Sequence, residues 1–347
     1  MAATELYYFI EGIALMFFGI MAVQNLWQRD HRLRFILGWV LLYWTVQHLF
    51  SVVFAPAYLS ESRYYEHIIS AFDITAAPTC CFLLLELCRP GWLTWQKVLW
   101  HELPFVALGT ASILTDVILV HYLLIGAFVL YGIGVSAATI HYIPLYNKFL
   151  REHYSYEENV NLRWLYAVLI TFLTLMLVYA TCSIYNTLLG DRIYVVGSIV
   201  SWAMICYFIR NQESVLYELE ATRKEESEAG QTTVTAEETL DLGKLIEERF
   251  IAPQLYLNPQ LKLGDMAQAI GTNRTYLSQY LNKVLKVSFY EYVNTLRLEH
   301  ALRLIEHSQY SIKSIAAIAG FNSYSTFRRT FIAKYHQPPQ EYRYNKQ

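Results

Sequence analysis

The chain up to residue 209 is a series of long apolar runs separated by short polar connections. Each run is close to the ~20 residues that an α-helix needs to cross the hydrocarbon core of a bilayer. The pattern predicts seven transmembrane helices, at residues 6–26, 35–54, 68–87, 98–117, 119–144, 164–188 and 193–209. The first run is expected to persist as a span and not to be cleaved as a signal peptide, because it has no basic leader and carries Glu5 and Glu11.

Basic residues in the short connections indicate which side of the membrane each connection faces, since Lys and Arg accumulate on the cytoplasmic side. The first, third and fifth connections together hold Arg29, Arg32, Arg34, Arg89, Lys97, Lys148, Arg151 and Arg163. The alternate connections hold only Arg63 and Arg192. We therefore expect a multi-pass protein of the cell (inner) membrane, with its N-terminus outside and its C-terminal domain in the cytoplasm.

The C-terminal part of the sequence repeats itself with an offset of 49 and then 50 positions. The pairs that carry the repeat are Met266 and Ile315, Ala267 and Ala316, Gly271 and Gly320, Leu277 and Phe327, and Leu281 and Phe331. Each copy has a small residue on a short helix, a glycine that ends it, a polar cap, and an i, i+4 apolar pair on the next helix. The pattern predicts two helix-turn-helix units, at about 263–285 and 311–335, joined by a linking helix at 289–307.

The second helix of each unit leaves a polar face outside the predicted core. Side chains on these faces suit base edges and phosphates, which makes them candidate DNA-binding residues. They are Arg274, Thr275, Ser278, Gln279, Asn282 and Lys283 in the first unit, and Tyr324, Ser325, Arg328 and Arg329 in the second.

The spacing of the two units, and the closing run GFNSYSTFRRTFIAKYHQPPQEYR, closely resemble the DNA-binding domain of AraC/XylS-type bacterial transcriptional regulators. The sequence departs from that pattern at Leu281, where Phe is usual, and at Lys286 and His336, where Gly is usual. The resemblance implies that Thr275, Ser278, Gln279, Tyr324, Ser325 and Arg329 read bases. It also implies double-stranded DNA and RNA polymerase as partners, with a homodimer expected by analogy.

Charge separates the chain into the predicted domains. Residues 261–347 hold 12 Lys and Arg against 5 Asp and Glu, whereas residues 211–248 hold 3 against 11. A basic module behind an acidic tether is the charge distribution expected of a nucleic-acid binder. We expect a seven-span sensor domain at 1–209, a cytoplasmic helix and acidic linker at 210–236, and a DNA-binding domain at 237–347, all of them α-helical.

A few ionisable or amide side chains fall inside the predicted spans, where such groups are costly and tend to be functional. Glu11, His48, Asp73 and Asn186 lie at comparable depth toward the outside and are candidates for a pocket that binds an unknown small-molecule signal. The alternative is that these groups pair with one another between helices. Pro78 is expected to kink the third span.

The sequence thus favours a membrane-bound, sequence-specific transcriptional regulator that couples an outside or membrane signal to promoter control. The alternative is a seven-span receptor or transporter whose cytoplasmic tail binds a protein partner. We expect no enzyme, cofactor or metal, because no phosphate-binding glycine loop, nucleophile motif or zinc spacing is present in the sequence. The lipid bilayer is the remaining expected partner.

Overall fold

A computed structural model describes residues 2–29, 31–58, 63–115, 117–158, 160–185, 188–212, 215, 222 and 242–346. Within these residues the chain is all-α, as predicted, and the only β-type pairing is one isolated bridge between Tyr154 and Lys262. The apolar half holds eight helices: α1 (Ala2–Leu26), α2 (Arg32–Tyr58), α3 (Arg63–Ile74), α4 (Ala77–Cys88), α5 (Trp95–Thr115), α6 (Ile118–His153), α7 (Trp164–Tyr185) and α8 (Leu188–Asn211).

Seven helical stretches in the described part of the chain are long and apolar enough to cross a membrane, which confirms the predicted number. They are Thr4–Leu26, Arg32–Phe54, Ile68–Cys88, Trp95–Thr115, Ile118–His153, Trp164–Cys182 and Leu189–Asn211. Large apolar side chains on their outer faces are exposed, among them Phe9, Met16, Leu130 and Ile170 at about two thirds of their surface. Exposed apolar surface on this scale is typical of a lipid-facing bundle.

The third stretch is two helices with a break between them. α3 ends at Ile74 and α4 begins at Ala77, with Pro78 in its first turn. Proline is tolerated there because the first-turn N–H groups have no partner within the helix. The expected kink is therefore present, and it falls immediately before the proline.

The chain divides into two compact units. One contains residues 1–144 and 162–214, and the other contains residues 145–161 and 215–347. The second unit thus includes the end of α6 and the connection to α7, an assignment that the apolar pattern alone does not reveal. Residues 216–221 and 223–241, which hold most of the predicted cytoplasmic helix and acidic linker, lie outside the described residues.

The C-terminal part of the second unit consists of short helices. They are α9 (242–251, with a wide π-helical last turn), α10 (Leu263–Ile270), α11 (Arg274–Gln279, continued by a π-helical turn at Tyr280–Val284), α12 (Phe289–His307), α13 (Ile312–Ile318), α14 (Tyr324–Tyr335) and α15 (Pro339–Lys346). Two apolar clusters hold them together. Phe250, Met266 and Leu277 lie in the first cluster, and Ile315, Phe327 and Phe331 lie in the second.

The two positions at which glycine is usual in the resembled family still adopt left-handed backbone. Lys286 has a φ of 56° and His336 has a φ of 59°. A non-glycine residue in this conformation costs about 1–2 kcal/mol, because its Cβ approaches the following carbonyl oxygen. The turns after α11 and α14 therefore retain their left-handed backbone, and the surrounding packing offsets the free-energy cost.

Candidate nucleic-acid interface

The first helix-turn-helix unit consists of α10, a glycine turn and α11. Gly271 follows α10 with a φ of 80°, and Asn273 caps α11 by accepting a 2.7 Å hydrogen bond from the amide of Tyr276. Leu277 and Leu281 are buried behind it. This is the helix, left-handed turn and capped helix that the repeat predicts.

The candidate DNA-binding residues of this unit differ in their solvent exposure. Asn282 and Lys283 are exposed at the far end of the helix, where the Asn282 amide donates to the Ser278 hydroxyl at 3.2 Å. Gln279 is half-buried beside them. The guanidinium of Arg274 lies over the backbone of Gly264, where an added Cβ would meet its Nε at 2.5 Å. The hydroxyl of Thr275 is buried, so its presentation to DNA would require a local change.

The second unit repeats this arrangement with α13 and α14. Gly320 has a φ of 84°, and Ser323 caps α14 by accepting from the amide of Thr326 at 3.2 Å. The neighbouring Asn322 side chain donates to the carbonyl of Pro259 at 3.0 Å. Phe327 and Phe331 are fully buried.

The outer face of α14 carries Ser325, Arg328 and Arg329, all exposed. Tyr324 is half-buried, because its ring packs 6.4 Å from the ring of Phe327, centroid to centroid. It therefore contributes as much to the core as to the outer surface. Arg329 Nη2 lies 2.8 Å from Glu157 Oε2, and the Arg329 side chain is 48% exposed.

The linking helix α12 joins the two units and contains the most deeply buried cation described. Ser288 and Glu291 cap its start reciprocally. Arg297 is 1% exposed, and its guanidinium donates to the carbonyls of Tyr256 at 2.7 Å, Asn258 at 2.6 Å and Ser155 at 3.1 Å. Burial lowers the pKa of Arg297 to about 10, which leaves it charged at neutral pH. Sequence reasoning assigned Arg297 no role.

An acidic stretch from the connection between α6 and α7 lies against α14. Glu158 Oε1 accepts hydrogen bonds from Ser323 Oγ at 2.7 Å and from Thr326 Oγ1 at 2.5 Å. Burial alone would raise the pKa of the Glu158 carboxyl, but the hydrogen bonds from Thr326 and Ser323 outweigh it and lower the pKa. Sequence reasoning missed this contact. The sequence does carry one sign of this contact. The acidic pair Glu157-Glu158 stands in a connection that is otherwise notable for its basic residues.

The candidate sensor residues are only partly brought together. Glu11 Oε2 and His48 Nδ1 are 2.7 Å apart and both side chains are buried, which is the interhelical pairing given as the alternative. Asp73, near the end of α3, instead lines a cavity of which neither Glu11 nor His48 is a lining residue. Asn186 lies outside the described residues. The proposed four-residue pocket therefore stays a prediction.

The C-terminal helices match a known protein family. Residues 266–345, which hold both helix-turn-helix units, match the family described as "Helix-turn-helix domain". The C-terminal region is an AraC/XylS-type helix-turn-helix domain. The match begins inside α10 and ends in α15, so the AraC/XylS-type domain includes the linking helix and both recognition helices.

Curated relatives of the AraC/XylS-type domain are transcriptional regulators. An uncharacterized HTH-type transcriptional regulator of Staphylococcus aureus (strain COL) is 33% identical over 90 residues, covering 26% of this chain and 12% of the relative. The regulatory protein PocR of Salmonella typhimurium (strain LT2) is 35% identical over 88 residues, covering 25% of this chain and 29% of PocR. The aligned part thus spans less than a third of either relative. No solved structure matches the chain significantly.

Proposed function

We propose that this protein is a membrane-bound, sequence-specific DNA-binding regulator of transcription. The observation that carries the proposal is the pair of capped recognition helices, α11 and α14, fixed to one linking helix and matched by the helix-turn-helix family over residues 266–345. Paired units of this kind suit two successive faces of the major groove, about 34 Å apart. The two names of regulators among the relatives support the same function.

Roles within the interface follow from side-chain chemistry and exposure. Lys283 and Arg328 are exposed cations at the two recognition helices and suit contacts with phosphates, which position the domain without reading sequence. Gln279 and Arg329 carry planar groups with several hydrogen-bonding atoms, which suit adenine and guanine edges respectively.

The membrane half gives the proposal its second part, in which the spans transmit an outside or membrane signal to the DNA-binding domain. Seven apolar helices and the bias of basic residues support a cytoplasmic C-terminus within reach of the chromosome. A signal that changes DNA affinity must favour one of two states by a coupling free energy, typically about 1–3 kcal/mol. A homodimer and contact with RNA polymerase belong to the proposal by family resemblance.

The test uses full-length protein in nanodiscs and a pool of genomic fragments, from which preferred sites are selected. We expect Arg329→Ala to cost about 1–3 kcal/mol on the preferred site and to relax discrimination at one base position. Because this change also removes the Glu157 ion pair, discrimination among sequences is the readout, not affinity alone. Arg303→Ala, an exposed cation on α12, is the matched control.

Two outcomes contradict parts of this proposal. Equal losses on every fragment would make Arg329 a phosphate contact and not a base reader. If no fragment is enriched by the unaltered protein, DNA binding is wrong and the tail of a seven-span receptor that binds a protein partner becomes the better explanation.

A further inference from the structure

The connection between α6 and α7 is bound into the AraC/XylS-type domain through residues 154–158, called here the clasp. Tyr154 and Ser155 form its base and are fully buried. Ser155 donates its backbone amide to the carbonyl of Leu261 at 3.2 Å, and its own carbonyl accepts from Asn294 Nδ2 at 3.1 Å. The base of the clasp is thus part of the packed domain.

The tip of the clasp, Glu157 and Glu158, lies against the start of the second recognition helix. Glu158 accepts from the hydroxyls of Ser323, which caps the helix, and of Thr326, and Glu157 pairs with Arg329 at 2.8 Å and with Arg151 at 3.5 Å. Glu157 is largely buried, with only 11% of its side chain exposed. Two carboxylates therefore occupy the end of α14 that carries the candidate base-reading arginine.

This end of α14 is suited to an anion. The first amides of a helix and its dipole favour negative charge, and hydroxyl and guanidinium groups are the partners that carboxylates and phosphates share. Glu158 is bound there now. A DNA phosphate approaching the same hydroxyls, or a base approaching Arg329, would have to displace the clasp tip.

We propose that the clasp is an internal competitor of DNA, which holds the second recognition helix in a state that cannot bind DNA until its tip is released. The proposal rests on the DNA-binding function proposed above. Chain connectivity links the clasp to the membrane half, since it begins at the end of α6 and leads to α7 at Trp164. A displacement of either span would therefore pull on the clasp directly.

The decisive variant is Glu157→Gln combined with Glu158→Gln, which keeps side-chain shape and removes both charges. In nanodiscs, with the fragments selected by the unaltered protein, we expect the variant to bind about tenfold more tightly. That gain corresponds to a clasp that is closed in about nine molecules of ten. The control is Glu152→Gln combined with Glu299→Gln, since Glu152 pairs with Lys148 on α6 and Glu299 pairs with Lys334 on α14.

The outcomes separate the clasp from the proposed function. If the unaltered protein and all variants fail to bind any fragment, DNA binding itself is wrong. If all bind DNA and the affinity of the clasp variant rises no more than that of the control, the clasp proposal is overturned. Any rise in affinity would then reflect only the loss of negative charge. Hydrogen exchange in the unaltered protein gives a second measurement that needs no variant. Amides of the clasp tip, Glu157 and Glu158, should exchange faster with DNA bound, and unchanged or slower exchange there would also overturn the proposal.

An independent observation in the membrane half concerns the cavity lined by Asp73. Its volume is about 750 Å³ with its open mouth included, and among the described residues that line it only Asp73 carries a formal charge. Aromatic side chains form much of the remaining wall: Trp44, Phe128, Tyr131, Phe172, Tyr179 and Tyr194. No lysine, arginine or histidine is found in the lining within the part of the chain that the structure describes.

We infer that this cavity binds an organic cation with an apolar body, such as an aryl-alkyl amine. A buried carboxyl group keeps its negative charge only beside a positive partner, and aromatic faces attract cations while the apolar walls contact the rest of the ligand. An anion would meet Asp73 without a compensating cation, and a neutral ligand would leave Asp73 unpaired.

The probe is phenethylamine, compared with phenethyl alcohol, which has the same shape and no charge. We expect the amine alone to raise the unfolding temperature of the nanodisc protein in a saturable way. Asp73→Asn should weaken the apparent affinity about tenfold or more, whereas Glu5→Gln, an exposed carboxyl on α1 outside the cavity lining, should leave it unchanged. Equal shifts with both compounds, no shift with the amine, or retention of binding in Asp73→Asn would each overturn the inference. If Asp73→Asn does not fold, the comparison of amine and alcohol on the unaltered protein decides.

Discussion

Gly320→Ala is expected to destabilise the C-terminal domain by about 3 kcal/mol or more. The residue has a φ of 84°, and an added Cβ would lie 2.5 Å from the carbonyl oxygen of Leu257 and 2.8 Å from its carbonyl carbon. Left-handed backbone costs a non-glycine residue about 1–2 kcal/mol, and forcing an extra carbon into a packed site adds about 1–3 kcal/mol. Backbone atoms cannot rotate away, so the turn between α13 and α14 would have to shift.

Gly271→Ala is the matched control, because it has the same role in the first unit and a similar φ of 80°. The Cβ there would meet only Arg249 Nη1, at 3.3 Å, and that side chain can move aside. We expect a loss of about 1–2 kcal/mol from the backbone alone. Hydrogen exchange of the amides in α12 to α14, measured in full-length protein, reports both losses. Equal losses in the two variants would show that contact with Leu257 is not the cause.

The second large effect is expected for Arg297→Met. Methionine fills similar space but leaves the carbonyls of Tyr256, Asn258 and Ser155 without the donors that the guanidinium supplies. Leaving a buried acceptor unsatisfied costs about 1–3 kcal/mol, which for three carbonyls amounts to about 3 kcal/mol or more. The expected result is a loss of that size in the exchange-derived stability of α12.

Arg303→Met tests whether the loss arises from burial and not from a change of charge. Arg303 lies on the same helix and is exposed, so its replacement should change stability by no more than about 0.5 kcal/mol. The loss of stability in Arg297→Lys should lie between those of the two methionine variants, since an ammonium cannot reach all three carbonyls at once. A loss in Arg297→Met no larger than that in Arg303→Met would mean that the network contributes little to stability.

Much of the architecture could be predicted because it depends on local pattern. A bilayer core fixes the length of an apolar helix that crosses it, so the seven long apolar helices were visible as seven runs. The two helix-turn-helix units were visible because glycine, cap and i, i+4 pair recur at a fixed offset. The left-handed backbone at Lys286 and His336 shows that the turns persist where the sequence no longer supplies glycine.

The features that could not be predicted are contacts between distant polar groups. Ser155 is 142 positions from Arg297, and Glu157 is 172 positions from Arg329. No periodicity in the sequence encodes such a pairing. The same reason explains why Glu11 and His48 pair with each other, while Asp73, whose carbonyl accepts a 3.2 Å hydrogen bond from Gln47 beside His48, lines a cavity. The base-reading positions stay predictions.

The buried base of the clasp has a consequence for how the helix-turn-helix domain is joined to the apolar half of the chain. The DNA-binding domain is attached twice, once through the polypeptide that follows α8 and once through Ser155 and its neighbours. A protease that cuts the acidic stretch after α8 would therefore not release the domain. The severed piece would still be bound by the connection between α6 and α7. It could dissociate only if Arg297 lost one of its hydrogen-bond acceptors.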